Sequence, residues 1–479
     1  MSHLKLTRES WSSQSIFILA AIGAAVGLGN LWKFPYIAGE NGGGAFVLVY
    51  LGCILLIGLP ILMAELALGR AGQANPVQSM ASLARENNAS RFWWLLGLNG
   101  IIAGALILSF YSVIAGWAVS YFTSSAMGEF VAMSSEEAEV FFSGLLASPE
   151  TLLLWHTVVM VVTLWIVSRG VKKGLERAIT FMMPGLLVIL LVLLGYALST
   201  GYLGASFEFL FAPDFSKLTW DSVLVAMGHA FFTLSIGMGA IMVYGSYLGR
   251  EHSIVKASLW VVFADTAVAL LAGLVIFAIV FANSMAPSAG PGLLFQTLPV
   301  AFGQMWGGWF FGTLFFALVV MAALSSAISL IEPAISWLEQ NWGYSRVKAT
   351  WGLGALIWLV GVGTILSFTH WSEVHFIGER TFFDSLDFLT SNIMLPLGGM
   401  MMAVFSAWVL SEQTRREELP LSTAWERVML FDLKWIAPIA VLVVFANSLS
   451  MADSVSLILT LSLALYLLYV FNNQRCRQS

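Results

Sequence analysis

Asp265 lies between Phe263 and the apolar run 267–280. An ionisable side chain at that depth in a membrane helix costs at least about 2.5–3.5 kcal/mol. It is retained either for function or as a protonated acid hydrogen-bonded to a neighbour. Two glycine-rich stretches also interrupt apolar runs, Gly27-Leu28-Gly29-Asn30 and Ser235-Ile236-Gly237-Met238-Gly239. Glycine in a helix interior costs about 1 kcal/mol relative to Ala. Glycines also serve close helix packing, but two pairs with polar neighbours favour two breaks. A break frees N–H and C=O groups that must find partners, and an anion and a cation suit them. The hydroxyl pair Ser325-Ser326 suits a hard cation or a helix–helix hydrogen bond. None of the six histidines has a metal-ligand spacing with Asp, Glu or Cys. With no nucleophile–base arrangement either, the expected chemistry is binding inside a membrane, and the chain is not expected to be an enzyme.

The elements that must position these residues are transmembrane helices. Of 479 residues, 59% are hydrophobic and 10% are Asp, Glu, Lys or Arg, against roughly 25% charged in a soluble domain. This excludes a soluble globular protein, a disordered chain and a disulfide scaffold. A span needs about 20 apolar residues. Such segments fall near 13–38, 43–69, 93–123, 152–168, 178–199, 223–248, 257–283, 305–338, 349–368, 385–411, 434–450 and 454–471. The first has no small-residue cleavage site and is interrupted by Lys33, so it is not expected to be a signal peptide. With the N-terminus cytoplasmic, all of the 22 Lys and Arg except Lys33, Lys217 and Arg380 fall inside. The 125–150 loop carries five Glu and no basic residue. This is a positive-inside pattern, with both termini cytoplasmic. A net charge of −5 gives no sign of nucleic-acid binding. Cys53 lies in an apolar run and Cys476 in the polar tail, so no disulfide between them is expected. Five spans separate the two glycine breaks, so they run in opposite directions. Matching broken helices in inverted halves point to a transporter binding site.

The stretch Ala24-Ala25-Val26-Gly27-Leu28-Gly29-Asn30-Leu31-Trp32-Lys33-Phe34-Pro35, with Glu40-Asn41-Gly42-Gly43-Gly44-Ala45-Phe46, resembles the first helix of the neurotransmitter:sodium symporter family. Phe231-Phe232-Thr233-Leu234-Ser235-Ile236-Gly237 is similar to the family's sixth helix. Tyr111 with Trp117, Gly170-Val171-Lys172-Lys173-Gly174-Leu175-Glu176-Arg177, Ser325-Ser326, and Asp384 with Asp387 follow in family order. The resemblance, nearest to bacterial amino-acid transporters such as the leucine transporter, implies an all-α membrane protein with a LeuT-like fold. About 12 transmembrane helices are expected, with two inverted five-helix repeats and broken helices 1 and 6. Residues 1–411 would form the transporter core, and 412–479 two peripheral helices and a cytoplasmic tail.

The same resemblance implies sodium-coupled symport of an amino acid by alternating access. Leu28 and Gly29 N–H groups and the Tyr111 hydroxyl would hold the substrate carboxylate. Carbonyls of Ala25, Phe232 and Ser235 would accept its ammonium. Ala24, Ile107, Tyr111, Phe232, Met238, Ala327 and Leu330 would surround its side chain. A first sodium ion would take the Ala25 carbonyl and the side chains of Asn30, Thr233 and Asp265. A second would take carbonyls of Gly23, Val26 and Ala322 and the hydroxyls of Ser325 and Ser326. Lys33 and Asp387 would form the outer gate beneath which Phe232 is the lid. Arg8, Trp11 and Tyr247 would belong to the inner gate, whose usual acid is Gln340 here, beside Glu339. His229 stands where the family usually has glutamine, either as a pH-sensitive group or as a neutral hydrogen-bonded one.

Chloride-dependent members carry asparagine at the position of Asp265, so no chloride requirement is expected here. Gly27 leaves no side-chain acid for a bare amine, so the substrate brings its own carboxylate. The uncharged pocket favours an apolar or aromatic amino acid. A small solute of the glycine, GABA or taurine type, a proton-coupled carrier on the same fold, and a non-transporting sensor remain alternatives. Expected partners are the amino-acid substrate, sodium ions, the lipid bilayer of the inner (plasma) membrane, and in one reading a second copy of the chain.

Overall fold

The computed structural model describes residues 10–287, 290 and 292–450, with side chains described to residue 445. The predicted gate residue Arg8, the predicted span 454–471, Cys476 and the basic tail at Arg475 and Arg477 lie outside the described residues. Among those described, regular structure is helical apart from a single bridge between Ile377 and Arg380. Among the described residues nine helices are long and apolar enough to cross a membrane, and the bent pair Gln14–Ala25 and Gly29–Glu40 makes a tenth candidate. The predicted sixth span is also split, into Trp220–Thr233 and Ala240–Ser246.

The long helices follow the apolar runs, with ends that differ where polar residues continue a helix into the interface. The predicted span 178–199 begins at Val171, and the predicted span 434–450 begins at Thr423. In the latter, Trp425 and Trp435 are exposed, and Arg427 and Lys434 lie on the same helix. Aromatic rings and long basic side chains suit a headgroup zone, so hydropathy alone places the start too late.

The Gly308–Trp342 helix packs along Arg91–Met127 and on the first broken span, and Tyr111 of Arg91–Met127 reaches that span at Leu28. The two broken spans run antiparallel. Trp11, before the first, donates its backbone N–H to the Tyr247 carbonyl beyond the second at 3.3 Å. At the other end Gly42, after the first, packs against Lys217, before the second, where a Cβ on the glycine would meet Lys217 Cβ at 2.6 Å. One end of the bundle carries the loop with Glu129, Glu136, Glu137 and Glu139; the other carries Arg169, Lys172, Lys173 and Arg250. These are called the acidic and basic ends below.

Candidate substrate and ion site

Both breaks form where sequence and backbone agree. The first helix ends at Val26, whose φ of −68° and ψ of 112° are extended, and the chain re-enters a helix at Gly29 after a 51° bend. A Cβ on Gly27 would come within 2.4 Å of Ser326 Oγ and 3.2 Å of Tyr111 Oη, so any side chain there would have to displace the Ser326 hydroxyl. In the second break Gly237 and Gly239 take φ of +87° and +75°, and Ser235 takes +54°. Positive φ is costly for serine, and such strain concentrates at functional sites. Ser235 Oγ donates to the Ala24 carbonyl at 2.7 Å, which ties one break to the other.

The second break is held by a residue absent from the sequence expectations. Glu65, fully buried on the Gly44–Gly72 helix, accepts from Gly237 N–H at 3.0 Å and Met242 N–H at 3.3 Å. Its carboxylate satisfies N–H groups that the unwinding frees, and hydrogen bonds to a charged group are worth about 1.5–3 kcal/mol each. The rule that singles out Asp265 also singles out Glu65.

Asp265 is fully buried and gathers the side chains expected around it. Asn30 Nδ2 donates to its Oδ1 at 2.8 Å and to its backbone carbonyl at 3.0 Å. Thr233 Oγ1 donates to its Oδ2 at 3.0 Å. Asn30 Oδ1 accepts from Gly27 N–H at 2.9 Å, which couples the cluster to the first break. Beside it, the His229 ring lies 5.3 Å from the Tyr50 ring and stacks on Phe34. Among the described residues neither His229 nitrogen has a hydrogen-bond partner, against the hydrogen-bonded alternative: its neighbours are aromatic faces.

A second cluster sits on the other side of Gly27. Ser325 Oγ donates to Ala322 O at 2.9 Å and to Val26 O at 3.4 Å, and Ser326 Oγ donates to Val26 O at 3.3 Å. Gly23 packs against the Met183 side chain, where a Cβ would meet Sδ at 3.3 Å. This cluster contains oxygens only from carbonyls and hydroxyls.

Between the breaks lies a cavity of about 30 Å³ lined by Ala24, Ala25, Leu28, Gly29, Ile107, Tyr111, Phe232, Ser235, Met238 and Leu330, together with Gly27, Thr233, Ser326 and Ser329. Tyr111 Oη accepts from Leu28 N–H at 3.5 Å. Ala327, expected in the lining, is instead buried away from it. Positions 326, 329 and 330 share one helix face, and 327 is turned about 100° from 326. Helical phase therefore selects Ser329 over Ala327.

The two ends differ. A cavity of about 410 Å³ runs from Leu28, Gly29, Tyr111 and Phe232 to Gln296, Leu146 and Asp387 at the acidic end. Lys33 and Asp387 both line it without pairing: Lys33 lies over Phe232, and Asp387 accepts from Ser391 Oγ at 2.8 Å. The basic end is packed shut. Trp11 Nε1 donates to Tyr244 O at 3.0 Å, and its ring sits 5.1 Å from that of Tyr244. Ser12 donates through its N–H and Oγ to Glu176, both at 2.7 Å. Tyr247 Oη donates to Glu332 Oε1 at 2.9 Å. Arg346 pairs with Glu332 and, at 3.2 Å, with Glu339. Gln340 accepts from Asn75 N–H and Nδ2, both at 2.8 Å. The acid that meets Tyr247 is thus Glu332, two helical turns before Gln340.

Three comparisons bear on this arrangement. The Sodium:neurotransmitter symporter family profile matches residues 8–138 and 128–458. A sodium-dependent transporter of Bacillus subtilis (strain 168), YhdH, is 38% identical over 447 residues, 91% of this chain and 97% of its own. A sodium-dependent transporter of Haemophilus influenzae is 30% identical over 92% of this chain and 98% of its own. The crystal structure of MhsT in complex with L-phenylalanine superposes with a TM-score of 0.85 at 44% identity, covering 92% of this chain and all of that one.

Proposed function

The chain belongs to the sodium:neurotransmitter symporter family, a multi-pass sodium-dependent symporter with the LeuT-like fold, and on that premise we propose that it imports a neutral amino acid with an apolar or aromatic side chain. The carrying observation is the cavity between the two breaks. Leu28 N–H and Tyr111 Oη come together at one side, and the lining adds the apolar side chains of Ile107, Met238, Leu330 and Phe232 and the hydroxyl residues Thr233, Ser235, Ser326 and Ser329. The first side suits a carboxylate and the second an uncharged side chain. MhsT holds L-phenylalanine, which agrees with this reading.

In this proposal Asn30, Thr233 and Asp265, with the Ala25 carbonyl, hold one sodium ion. Carbonyls of Gly23, Val26 and Ala322 and the hydroxyls of Ser325 and Ser326 hold the other. Asp265 brings a negative charge of its own, so transport proceeds without chloride. The acidic end faces outward and both termini lie in the cytoplasm, in line with the charge asymmetry. Access alternates between the open Lys33–Asp387 end and the packed Trp11–Tyr247–Glu332 end. Two sodium ions would gain about 4.6 kcal/mol from 100 mV. A tenfold gradient adds about 1.4 kcal/mol per ion. The roughly 7 kcal/mol total supports about a 10⁵-fold solute gradient.

The second reading is a smaller amino-acid-like solute of the glycine, GABA or taurine type, favoured by the cavity's small volume. Uptake of a pooled, labelled amino-acid mixture into proteoliposomes, with and without an inward sodium gradient, decides between them. Sodium-dependent accumulation of Phe, Leu or Trp is expected. Accumulation of glycine alone would favour the second reading, and binding without accumulation would indicate a sensor.

A further inference from the structure

His156 lies fully buried on the Pro149–Val167 helix. Its ring bridges two other helices. Nδ1 lies 3.0 Å from Ser112 Oγ on the Arg91–Met127 helix, and Nε2 lies 3.2 Å from the Trp358 carbonyl on the Arg346–Phe368 helix. A carbonyl only accepts, so Nε2 carries the ring proton and Nδ1 accepts from the Ser112 hydroxyl. Ser112 Oγ also lies 2.7 Å from the Leu108 carbonyl of its own helix, so removing the ring leaves the hydroxyl satisfied. Two glycines make room for the histidine. A Cβ on Gly361 would meet His156 Cε1 at 2.5 Å, and one on Gly116 would meet the His156 backbone nitrogen at 3.1 Å. Trp358 stacks beside the imidazole at 6.2 Å, and its Nε1 donates to Thr157 Oγ1 at 3.0 Å. A histidine inside a membrane span is expensive, and its default reading is functional.

What the other face of the Arg91–Met127 helix does indicates the function. Ile107, Phe110, Tyr111, Ile114 and Trp117 line the two cavities, whereas Ser112 and Gly116 meet the histidine. Serine and glycine offer a smooth surface, and no hydrophobic effect holds helices together in lipid. A directional hydrogen bond on that surface fixes both the rotation and the height of the helix. Tyr111 converts rotation into displacement. Its hydroxyl stands about 9 Å from the helix axis, so a turn of about 10° moves it by about 1.5 Å. Tyr111 Oη is already 3.5 Å from Leu28 N–H, at the limit of a hydrogen bond. A small rotation therefore removes the hydroxyl from the side of the cavity that suits a carboxylate.

We propose that His156 is a positioning residue for substrate binding: its bonds to Ser112 and to the Trp358 carbonyl fix the rotation of the helix that aims the Tyr111 hydroxyl at the substrate carboxylate. This rests on the carboxylate role given to Tyr111 above. The test is equilibrium binding of labelled phenylalanine, with sodium, to the full-length protein in nanodiscs, alongside the fluorine NMR spectrum of a fluorotyrosine placed at position 111. His156→Leu should weaken binding roughly tenfold, the ratio for two net hydrogen bonds, and should shift or split the fluorine line. His156→Asn returns an amide oxygen near the place of Nδ1 and should recover most of both. Ser112→Ala should weaken binding roughly threefold and add nothing further to His156→Leu. Folded His156→Leu protein that binds phenylalanine as wild type does, or His156→Asn as weak as His156→Leu, overturns the proposal. So does weakened binding with an unmoved fluorine line, because Tyr111 would then be aimed without the histidine. If His156→Leu does not fold, Ser112→Ala decides by the same two readouts. Wild type that binds no amino acid would sink the carboxylate reading instead, while the fluorine line in His156→Leu would still show whether the ring aims Tyr111.

Discussion

The two oxygen clusters flanking Gly27 solve one problem in different ways. Around Asp265, a full carboxylate is buried and both of its oxygens accept from Asn30 or Thr233. Around Ser325 and Ser326, every oxygen is a neutral dipole, and the Val26 carbonyl is shared by two hydroxyls. A cation entering the first cluster neutralises a charge, while one entering the second relies on dipoles alone. The difference teaches where a bound anion would be redundant: beside Asp265, not beside the serines.

That contrast can be broken or sharpened by substitution, beginning with the charge itself. Asp265→Asn keeps the shape and removes the charge. At about 3 kcal/mol for an unbalanced buried ion, half-saturating sodium in uptake assays should rise roughly 100-fold. Added chloride should restore part of it, and a variant indifferent to both would erase the distinction between clusters. Gly27→Ala, next in size, pushes a methyl toward Ser326 Oγ and Tyr111 Oη. Overpacking costs about 1–3 kcal/mol, so substrate affinity should fall by roughly 30-fold in equilibrium binding. Ser326→Ala removes one neutral dipole, worth about 1 kcal/mol. Half-saturating sodium should rise roughly five- to tenfold in the same assay, with no chloride sensitivity. Ser325→Ala should matter least, about threefold, because its hydroxyl bonds Ala322 at 2.9 Å more closely than Val26 at 3.4 Å.

Asp265 and the two breaks are readable because each residue type is expensive in its place: a charge in an apolar run, or glycines inside a span; the serine pair, equally suited to a helix–helix hydrogen bond, is marked only by the family resemblance. The broken pair and the helical bundle follow from the same costs. Glu65 was open to the same argument but lies near one end of its apolar segment, where an acid reads as a polar boundary. The Glu332–Arg346 pair was not legible. It joins two helices across a turn, and no local pattern distinguishes Glu332 from Glu339. Ser329 rather than Ala327 faces the cavity, a choice that helical phase makes and family correspondence alone does not. The start of the Thr423–Phe445 helix escaped hydropathy because Arg427 and Lys434 interrupt its interfacial part.

The central claim is that Asp265 supplies the negative charge that lets this symporter work with sodium alone. The most direct measurement is sodium-driven uptake of labelled phenylalanine into proteoliposomes with gluconate replacing chloride on both sides. The account predicts the same rate and the same half-saturating sodium in both media. Loss of uptake in gluconate, restored by chloride, would contradict it.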